Sequence, residues 1–183
     1  MNRSYDGVSD IAFEKRGDRT VLTNRYRSGN SRISAQIPTE DNTPLYFLVA
    51  TGGGFIEGEK YYNIATLEKD AHAILTTQTP NYIYKCPNGK TTSQLNEVMV
   101  KEGAFLEYYI DEVIPYEDAI YYQKTFADIK KGGSLILTDG LTAGWSKSDK
   151  PFLYNKVDLK TKILYDNELV FNDYLIVNPR EED

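Results

Sequence analysis

The chain is poor in the residues that most often carry out chemistry in proteins. Its 183 residues include one cysteine, Cys86, and one histidine, His72. A single thiol excludes an internal disulfide and is typical of a reducing compartment, so we expect a cytoplasmic protein. One Cys and one His also provide no spacing typical of a zinc site. The sequence therefore predicts no tightly bound metal and no other tightly bound cofactor.

Positive charge and long apolar segments are scarce as well. Lys and Arg total 21 against 27 Asp and Glu, which gives a net charge of −6 and a pI of about 4.9. Proteins that bind nucleic acid usually present a basic face, so this balance argues against such a partner. The longest apolar run, residues 45–50, is far too short to cross a bilayer, and no secretory signal follows Met1. We expect neither a nucleic-acid nor a membrane partner.

A glycine-rich stretch at residues 51–59, Thr-Gly-Gly-Gly-Phe-Ile-Glu-Gly-Glu, invites comparison with nucleotide-binding loops. A P-loop requires a Lys after its last glycine, whereas Glu59 follows Gly58 here, and Glu57 precedes it. These acids would repel a phosphate. The glycine spacing also misses the dinucleotide fingerprint by one residue. A tight turn or bulge between two strands is the simpler interpretation.

Strand-forming segments follow one another along the chain, and none has a sustained apolar stripe at helical spacing. Tyrosine is abundant, 15 against 7 Phe and 1 Trp, which suits half-exposed strands or a protein–protein surface. The pair Asn88-Gly89 predicts a hairpin between residues 81–86 and 91–100. We expect a loose N-terminal segment, residues 1–19, followed by one β domain over residues 20–183.

A weak internal repeat indicates that the strands stack in coils. Three segments begin with a charged turn whose third residue is small, Ala71, Gly103 or Gly132, and continue as a strand. These positions recur at a nearly regular step of roughly 30 residues, which is typical of repeat architectures. In solenoids, neighbouring coils bury each other's apolar faces. The repeat therefore predicts a stacked all-β architecture.

Carboxylates are the remaining chemical resource, and the residues alone leave their role open. Asp139 follows the apolar segment 135–138, but Asp139-Gly140 is also a common turn pair. Oxygen-rich sites can hold divalent metals weakly. Alternatively, a pair of acids such as Glu107 and Asp139 could serve a carbohydrate-active β-solenoid enzyme. A purely structural role, in which Tyr-rich strands form a homo-oligomer, is the third interpretation.

Seven segments, in order, carry a resemblance to a known family. They are residues 52–59, 75–80, 83–85, 103–108, 114–116, 137–146 and 166–170. The motif positions within them are Gly52, Gly53, Gly54, Gly58, Thr77, Gln78, Tyr84, Gly103 and Gly144. No single segment is specific, but the ordered set resembles the urease accessory protein family UreD, named UreH in some organisms. The resemblance runs from about Val21 to the end of the chain.

The resemblance implies an all-β fold of stacked, two-layer β-helical type with little helix, and a role without catalysis. Proteins of this family bind the urease apoprotein and recruit UreF and the GTPase UreG. The assembly delivers nickel to the urease active site, whose bridging lysine is carboxylated. Partners implied for this chain are therefore UreF, UreG through UreF, and the urease structural subunits.

A polar and acidic interior channel is the implied route of the nickel ion. The acidic positions of this chain that match it are Glu59, Asp139 and Asp173. Sparse carboxylates would hold Ni²⁺ transiently, because imidazole and thiolate bind it more tightly. The chain departs from the family at Glu59, often Asp, and at Trp145, where many members have Arg. Family members usually continue beyond the position of Asp183, so we expect a chain shortened relative to them.

Overall fold

The computed structural model describes residues 5–180, and the regular elements within them are all β-strands. No helix occurs in this range, which confirms the all-β prediction. The strands are β1 (Gly7–Arg16), β2 (Arg19–Gly29), β3 (Ser31–Ile33), β4 (Leu45–Ala50), β5 (Lys60–Leu67), β6 (His72–Gln78), β7 (Asn81–Ile83), β8 (Thr92–Val100), β9 (Phe105–Tyr109), β10 (Val113–Pro115), β11 (Ile120–Ile129), β12 (Ser134–Thr138), β13 (Lys156–Tyr165) and β14 (Glu168–Val177).

The chain winds through two large sheets, coil after coil. One sheet has seven strands in the order β14-β13-β11-β8-β5-β1-β2, and the other has five in the order β12-β9-β6-β4-β3. Strands of consecutive coils pair in parallel, and antiparallel pairs join β2, β14 and β3 to their neighbours at the sheet edges. The short parallel pair of β7 and β10 forms a third side. The predicted stacked solenoid is therefore confirmed.

The repeat predicted from the sequence is present, with one shift in alignment. Leu67, Val100 and Ile129 pair in register on three successive coils. Three residues further on, Asp70, Gly103 and Gly132 occupy equivalent turn positions. All three have a positive φ, of 59°, 66° and 74°. The sequence alignment had placed Ala71 opposite Gly103, because it matched residue size and could not detect that Asp70 takes the left-handed conformation.

Inward-facing side chains form two apolar clusters with a polar layer between them. The larger cluster includes Phe13, Leu75 and Leu106, which are fully buried. The smaller contains Phe55 and Tyr121. Alternation along β11 shows the order: Tyr121 belongs to one cluster, Gln123 and Thr125 are buried polar residues, and Ala127 belongs to the other cluster. The solenoid interior is therefore apolar at both sides and polar along its middle.

The N-terminal segment expected to be loose instead contributes a strand inside the seven-stranded sheet. Residues 1–4 lie outside the described part of the chain, but residues 7–16 form β1, which pairs with both β2 and β5. Its buried positions alternate, Gly7, Ser9, Ile11 and Phe13 facing inward. Val8, Asp10 and Ala12, which alternate with them, are half-buried on the outer face, so β1 shows no simple apolar–polar alternation in the sequence.

The hairpin predicted at Asn88-Gly89 is wrong. Residues 81–83 form β7 in the two-stranded sheet, whereas β8 belongs to the seven-stranded sheet. The turn is a corner of the solenoid, held from outside by Glu57. One oxygen of Glu57 accepts hydrogen bonds from the backbone N–H groups of Asn88 (2.8 Å) and Lys90 (2.9 Å). Turn chemistry was read correctly from the sequence, but it does not tell which sheet receives the next strand.

Candidate functional site

A cleft of about 410 Å³ opens at the end of the solenoid, between β12 and the β13–β14 hairpin. Its walls are mostly apolar, and two carboxylates, Asp139 and Asp173, lie among them with the hydroxyl of Thr161. The apolar lining residues are Leu135, Leu137, Leu159, Ile163, Phe171 and Leu175. The structure therefore brings together two of the three acids predicted to lie along a metal route.

Asp139 is positioned by the end of β12 and by a buried glutamine. The strand ends at Thr138, and the N–H of Gly140 donates to Asp139 Oδ1 at 2.9 Å. Gln123 Nε2 donates to both carboxylate oxygens at 3.1 Å. Gln123 is itself fixed, because its Oε1 accepts the hydroxyl of Tyr121 at 3.0 Å. The Asp-Gly pair is thus a turn, as its chemistry suggests, and also aims a carboxylate at the interior.

The cleft changes the acidity of Asp139. Asp139 as a whole residue is exposed to solvent, but the walls of the cleft partly desolvate its carboxyl group. This desolvation is the main cause that raises the pKa of Asp139, and the nearby Asp173 carboxylate raises it further. Hydrogen bonds from Gly140, Gln123 and Thr161 oppose the shift. A partly desolvated carboxylate with a second carboxylate nearby favours either a proton or a cation.

A row of register-matched polar residues runs from this cleft along the solenoid interior, and we name it the polar ladder. Each member pairs with the next across the seven-stranded sheet. The ladder, from the first coil to the cleft, comprises Ser9, Asn63, Asn96, Thr125, Thr161 and Asp173. Four of these members are buried, namely Ser9, Asn96, Thr125 and Thr161, and Asn63 is half-buried. Such a continuous polar row through an apolar interior is costly unless every group is paired.

Hydrogen bonds between the coils hold the middle of the polar ladder. Asn63 Nδ2 donates to Asn96 Oδ1 at 3.0 Å, and Asn96 Nδ2 donates to Thr125 Oγ1 at 3.1 Å. Gln94 Nε2 also donates to Asn96 Oδ1, at 3.1 Å. Asn96 and Thr125 have no exposed surface. The ladder is therefore closed by direct contacts at this point, and passage of an ion along it requires these bonds to open.

A small cavity with polar and apolar lining residues lies at the other end of the ladder. Its volume is about 20 Å³, enough for one water molecule, which needs roughly 10–15 Å³. Asn81 lines it, and Asn81 Nδ2 is buried without a hydrogen-bond partner among the described residues. The other polar lining residues are Ser9, Ser31, Asn63, Thr77 and Gln94.

Glu59, the third predicted acid, lies outside the cleft and stabilises the glycine-rich loop. Its Oε2 accepts the N–H of Ile56 at 2.9 Å and the hydroxyl of Tyr61 at 3.0 Å. Its Oε1 accepts Asn30 Nδ2 at 3.0 Å. Tyr61 also lines the small cavity, so Glu59 is one side chain away from the ladder's first coil. The acids predicted to form one route thus lie in two separate places.

The glycine-rich loop connects β4 to β5 and requires glycine for its geometry. Its four glycines, Gly52, Gly53, Gly54 and Gly58, all have a positive φ. A Cβ on Gly54 would meet the carbonyl oxygen of Tyr82 at 2.8 Å, so only glycine fits there. The hydroxyl of Tyr84 donates to the carbonyl of Gly53 at 3.0 Å. The loop is therefore a packed turn of the first coil.

The other motif positions support turns between coils. Thr77 Oγ1 accepts the N–H of Asp111 at 2.9 Å, and Gln78 ends β6 beside the loop. Gly103 has a positive φ and lies against Asp70 of the preceding coil. A Cβ on Gly144 would meet the carbonyl of Pro115 at 2.5 Å. The structure thus gives each of these residues a place in packing.

The donor set is sparse for a resident metal. Within residues 5–180, no group of three or more His, Cys, Asp or Glu side chains is placed to hold a metal ion. Asp139 and Asp173 supply two carboxylates, with Thr161 and Gln123 as neutral neighbours. Carboxylate oxygens are ligands that suit hard divalent cations, but two of them are fewer than a resident metal site normally supplies.

The geometry does not support the pair of acids considered for a carbohydrate-active enzyme. Glu107 faces outward from the five-stranded sheet, where it contacts His72 Nε2 at 2.9 Å and accepts the hydroxyl of Tyr109 at 2.6 Å. The Tyr109 hydrogen bond is the main cause that lowers the pKa of Glu107. Asp139 instead lines the cleft on the inner side. Acids on opposite faces of one sheet cannot flank a single glycosidic bond.

Sequence reasoning missed the polar ladder, although a signal for it exists. Gln94-x-Asn96 and Gln123-x-Thr125 are pairs of polar residues at alternate positions, and they lie one coil apart. Alternate polar residues normally indicate the solvent face of a strand. Here they face the interior, and only the burial of both ends of each strand reveals it.

No helix within the described residues has the length and apolar character needed to cross a membrane.

Comparison with known proteins identifies the family. The chain is 44% identical over all 183 residues to the urease accessory protein UreD of Streptococcus thermophilus strain CNRZ 1066, and 44% identical to that of Streptococcus salivarius strain 57.I. It is 32% identical over 177 residues, 96% of the chain, to that of Lachnoclostridium phytofermentans. The chain spans 66% of the length of the two streptococcal proteins and 64% of the third. Since the model of the UreD urease accessory protein family matches residues 5–183, the chain belongs to that family.

Proposed function

We propose that this chain acts without catalysis as a urease accessory protein, binding the urease apoprotein together with UreF and, through UreF, the GTPase UreG. In this assembly it passes Ni²⁺ toward the urease metallocentre. The buried, free thiol of Cys86 is compatible with a cytoplasmic site of action. The observation that carries the proposal is the polar ladder ending at two carboxylates in the cleft.

The cleft is suited to the entry or exit of a cation. Desolvation by the cleft walls raises the pKa of Asp139, and repulsion from the Asp173 carboxylate adds to this shift. A divalent cation relieves this repulsion. With carboxylate ligands and no thiolate or imidazole in the cleft lining, the ion is held weakly and can be released.

The ladder supplies neutral oxygen ligands along the remaining distance. Asn63, Asn96 and Thr125 each present an oxygen toward the interior, one coil apart, in a row that is otherwise flanked by apolar clusters. Because Asn96 bonds to both neighbouring coils, we propose that ion transfer depends on a transient opening at Asn96. Binding of urease or UreF would supply the free energy for it.

The test is nickel loading of urease in a defined mixture of urease apoprotein, UreF, UreG, GTP, bicarbonate and Ni²⁺. Asp139→Ala should lower the nickel bound per urease active site, measured by inductively coupled plasma mass spectrometry, while co-purification with urease and UreF is unchanged. Asp18→Ala, in the exposed turn between β1 and β2, is the matched control and should load nickel like the wild type.

Two results would contradict the proposal. A wild-type chain that neither binds urease or UreF nor increases nickel loading shows that this part of the protein lacks the proposed function. Loss of partner binding by Asp139→Ala, with nickel loading lost in proportion, assigns Asp139 a structural role in the turn alone.

A further inference from the structure

The outer face of the seven-stranded sheet carries a group of lysines that the proposed nickel route does not use. Lys124 on β11 pairs in register with Lys160 on β13, and Lys162 lies two residues beyond on the same face. We name these three residues the lysine row. Lys124 is exposed, and Lys160 and Lys162 are half-buried. The row is unusual in a chain whose net charge is −6.

The neighbouring acids do not neutralise the lysine row. Asp128 forms an ion pair with Lys130 at 2.9 Å, and Asp158 forms one with Lys156 at 3.3 Å. Across the part of the chain that the structure describes, the three lysines of the row take part in no ion pair. The lysine row therefore presents positive charge that no ion pair among the described residues neutralises.

The register of the row is unfavourable for stability. Like charges directly opposite one another on adjacent strands destabilise a sheet. Lys160 has a partial compensation, since its Nζ lies 5.2 Å from the centre of the Tyr174 ring. A pair that weakens the fold is better explained by binding than by folding.

A groove of about 450 Å³ lies on the same face beside Lys124. Lys60 and Lys124 line it, together with the apolar surfaces of Tyr5, Leu95 and Tyr122. Tyrosine rings are enriched in protein–protein interfaces, and charged side chains such as lysines belong to the polar rim around them. Parallel sheets are, moreover, normally covered on both faces, and this outer face is uncovered in the isolated chain.

We propose that this face docks onto an acidic surface of the urease apoprotein. The inference rests on the proposed function and specifies which surface of the chain makes the contact. Carboxylates of the partner pair with the lysine row and with Lys60, and the rings of Tyr5 and Tyr122 pack against the apolar part of its surface. The cleft with Asp139 and Asp173, which lies on the inner side, stays free in this arrangement.

The experiment measures binding of the chain to immobilised urease apoprotein at several salt concentrations. Lys124→Glu with Lys160→Glu should weaken binding about ten-fold or more at low salt and reduce the slope of affinity against salt. The control, Lys131→Glu with Lys150→Glu, changes the net charge equally at two exposed lysines in turns outside this face and should stay within about three-fold of the wild type.

A neutral pair of substitutions separates binding from folding. Lys124→Gln with Lys160→Gln removes the like-charge contact, so its melting temperature should be no lower than that of the wild type, while its affinity for urease still falls. If the Glu and Gln variants both bind like the wild type with the same salt slope, the inference is overturned. If the wild type itself does not bind urease, the proposed function fails and this inference fails with it.

Discussion

Asp139 illustrates how far a single residue depends on the fold around it. In the sequence it is half of a common turn pair, and in the structure the turn does form, with Gly140 donating to its carboxylate. The same carboxylate also accepts two contacts from the buried Gln123. One side chain thus completes a turn and terminates the interior hydrogen bonds at the cleft.

The raised pKa of Asp139 predicts a pH dependence of stability. Its ordinary value is 3.8 and its folded value is higher, so between the two the folded state binds a proton that the unfolded state has lost. Stability of the wild type therefore falls as pH rises through this window and levels off above the folded pKa. Asp139→Asn lacks this titration, so its unfolding free energy should rise relative to that of the wild type as pH increases above 3.8, until the folded pKa of Asp139 is passed.

Urea denaturation at a series of pH values measures this difference. Asp18→Asn, at an exposed turn on the far edge of the sheet, serves as the control. Its unfolding free energy should change with pH in parallel with that of the wild type. A difference between Asp139→Asn and the wild type that is the same at every pH would show that the cleft does not perturb this carboxyl group.

Strands β8 and β11 show that the role of a whole strand also depends on the fold around it. The inner face of β11 has apolar residues at both ends and Gln123 and Thr125 in the middle, and the inner face of β8 carries Gln94 and Asn96 before its apolar end at Val98 and Val100. The parallel register places these polar residues opposite one another. The strands are therefore joined by the side-chain hydrogen bond from Asn96 to Thr125 as well as by the backbone, and misalignment by two residues would leave buried amides opposite apolar side chains.

Thr125→Val tests this contribution at nearly constant volume. The substitution removes the acceptor of Asn96 Nδ2 and leaves a buried N–H₂ group without it, which should cost about 1–3 kcal/mol. Thr66→Val on β5 is the matched control, because Thr66 is half-buried on the outer face and its change should stay within about 0.5 kcal/mol. Urea unfolding followed by fluorescence reports both values, and equal effects would argue against a structural polar ladder.

Considered as a whole, the solenoid is asymmetric at its two ends. The seven-stranded sheet extends two strands, β13 and β14, beyond the last pair shared by both sheets, and the cleft lies under this extension. Nine of the ten residues of β14 are exposed. Its large apolar side chains include Leu169, Val170 and Phe171, at 55%, 58% and 49% exposure. Exposed apolar edge strands promote association.

The isolated chain should therefore associate through β14. Leu169→Lys with Val170→Lys places charge on this edge, and the sedimentation coefficient of the double variant should depend less on concentration than that of the wild type. Thr23→Lys with Asn24→Lys on β2, the opposite edge, adds the same charge to polar positions and should leave association unchanged. If association persists in the β14 variant and is lost in the β2 variant, the contact lies at β2 and the prediction is wrong.

Much of the architecture could be predicted from local patterns in the amino-acid sequence. The all-β class, the regular coil step and the glycine turns all follow from sequence spacing, because each coil must repeat the same corner geometry. The N-terminal strand and the turn at Asn88-Gly89 were misread for one reason. Pairing partners in a solenoid come from the preceding and following coils, a full repeat away along the chain, and local propensity cannot identify them.

The sequence by itself determined that this chain is a stacked β protein with few catalytic groups and with acids in place of phosphate-binding residues. The ordered motifs also determined its resemblance to a family. Only the tertiary structure decided that Asp139 and Asp173 share a cleft while Glu59 holds a turn, and that Asn96 and Thr125 face inward. The physical reason is register: a strand's period of two tells which residues share a face, but the stacking of coils tells which face is inside and which residues meet there.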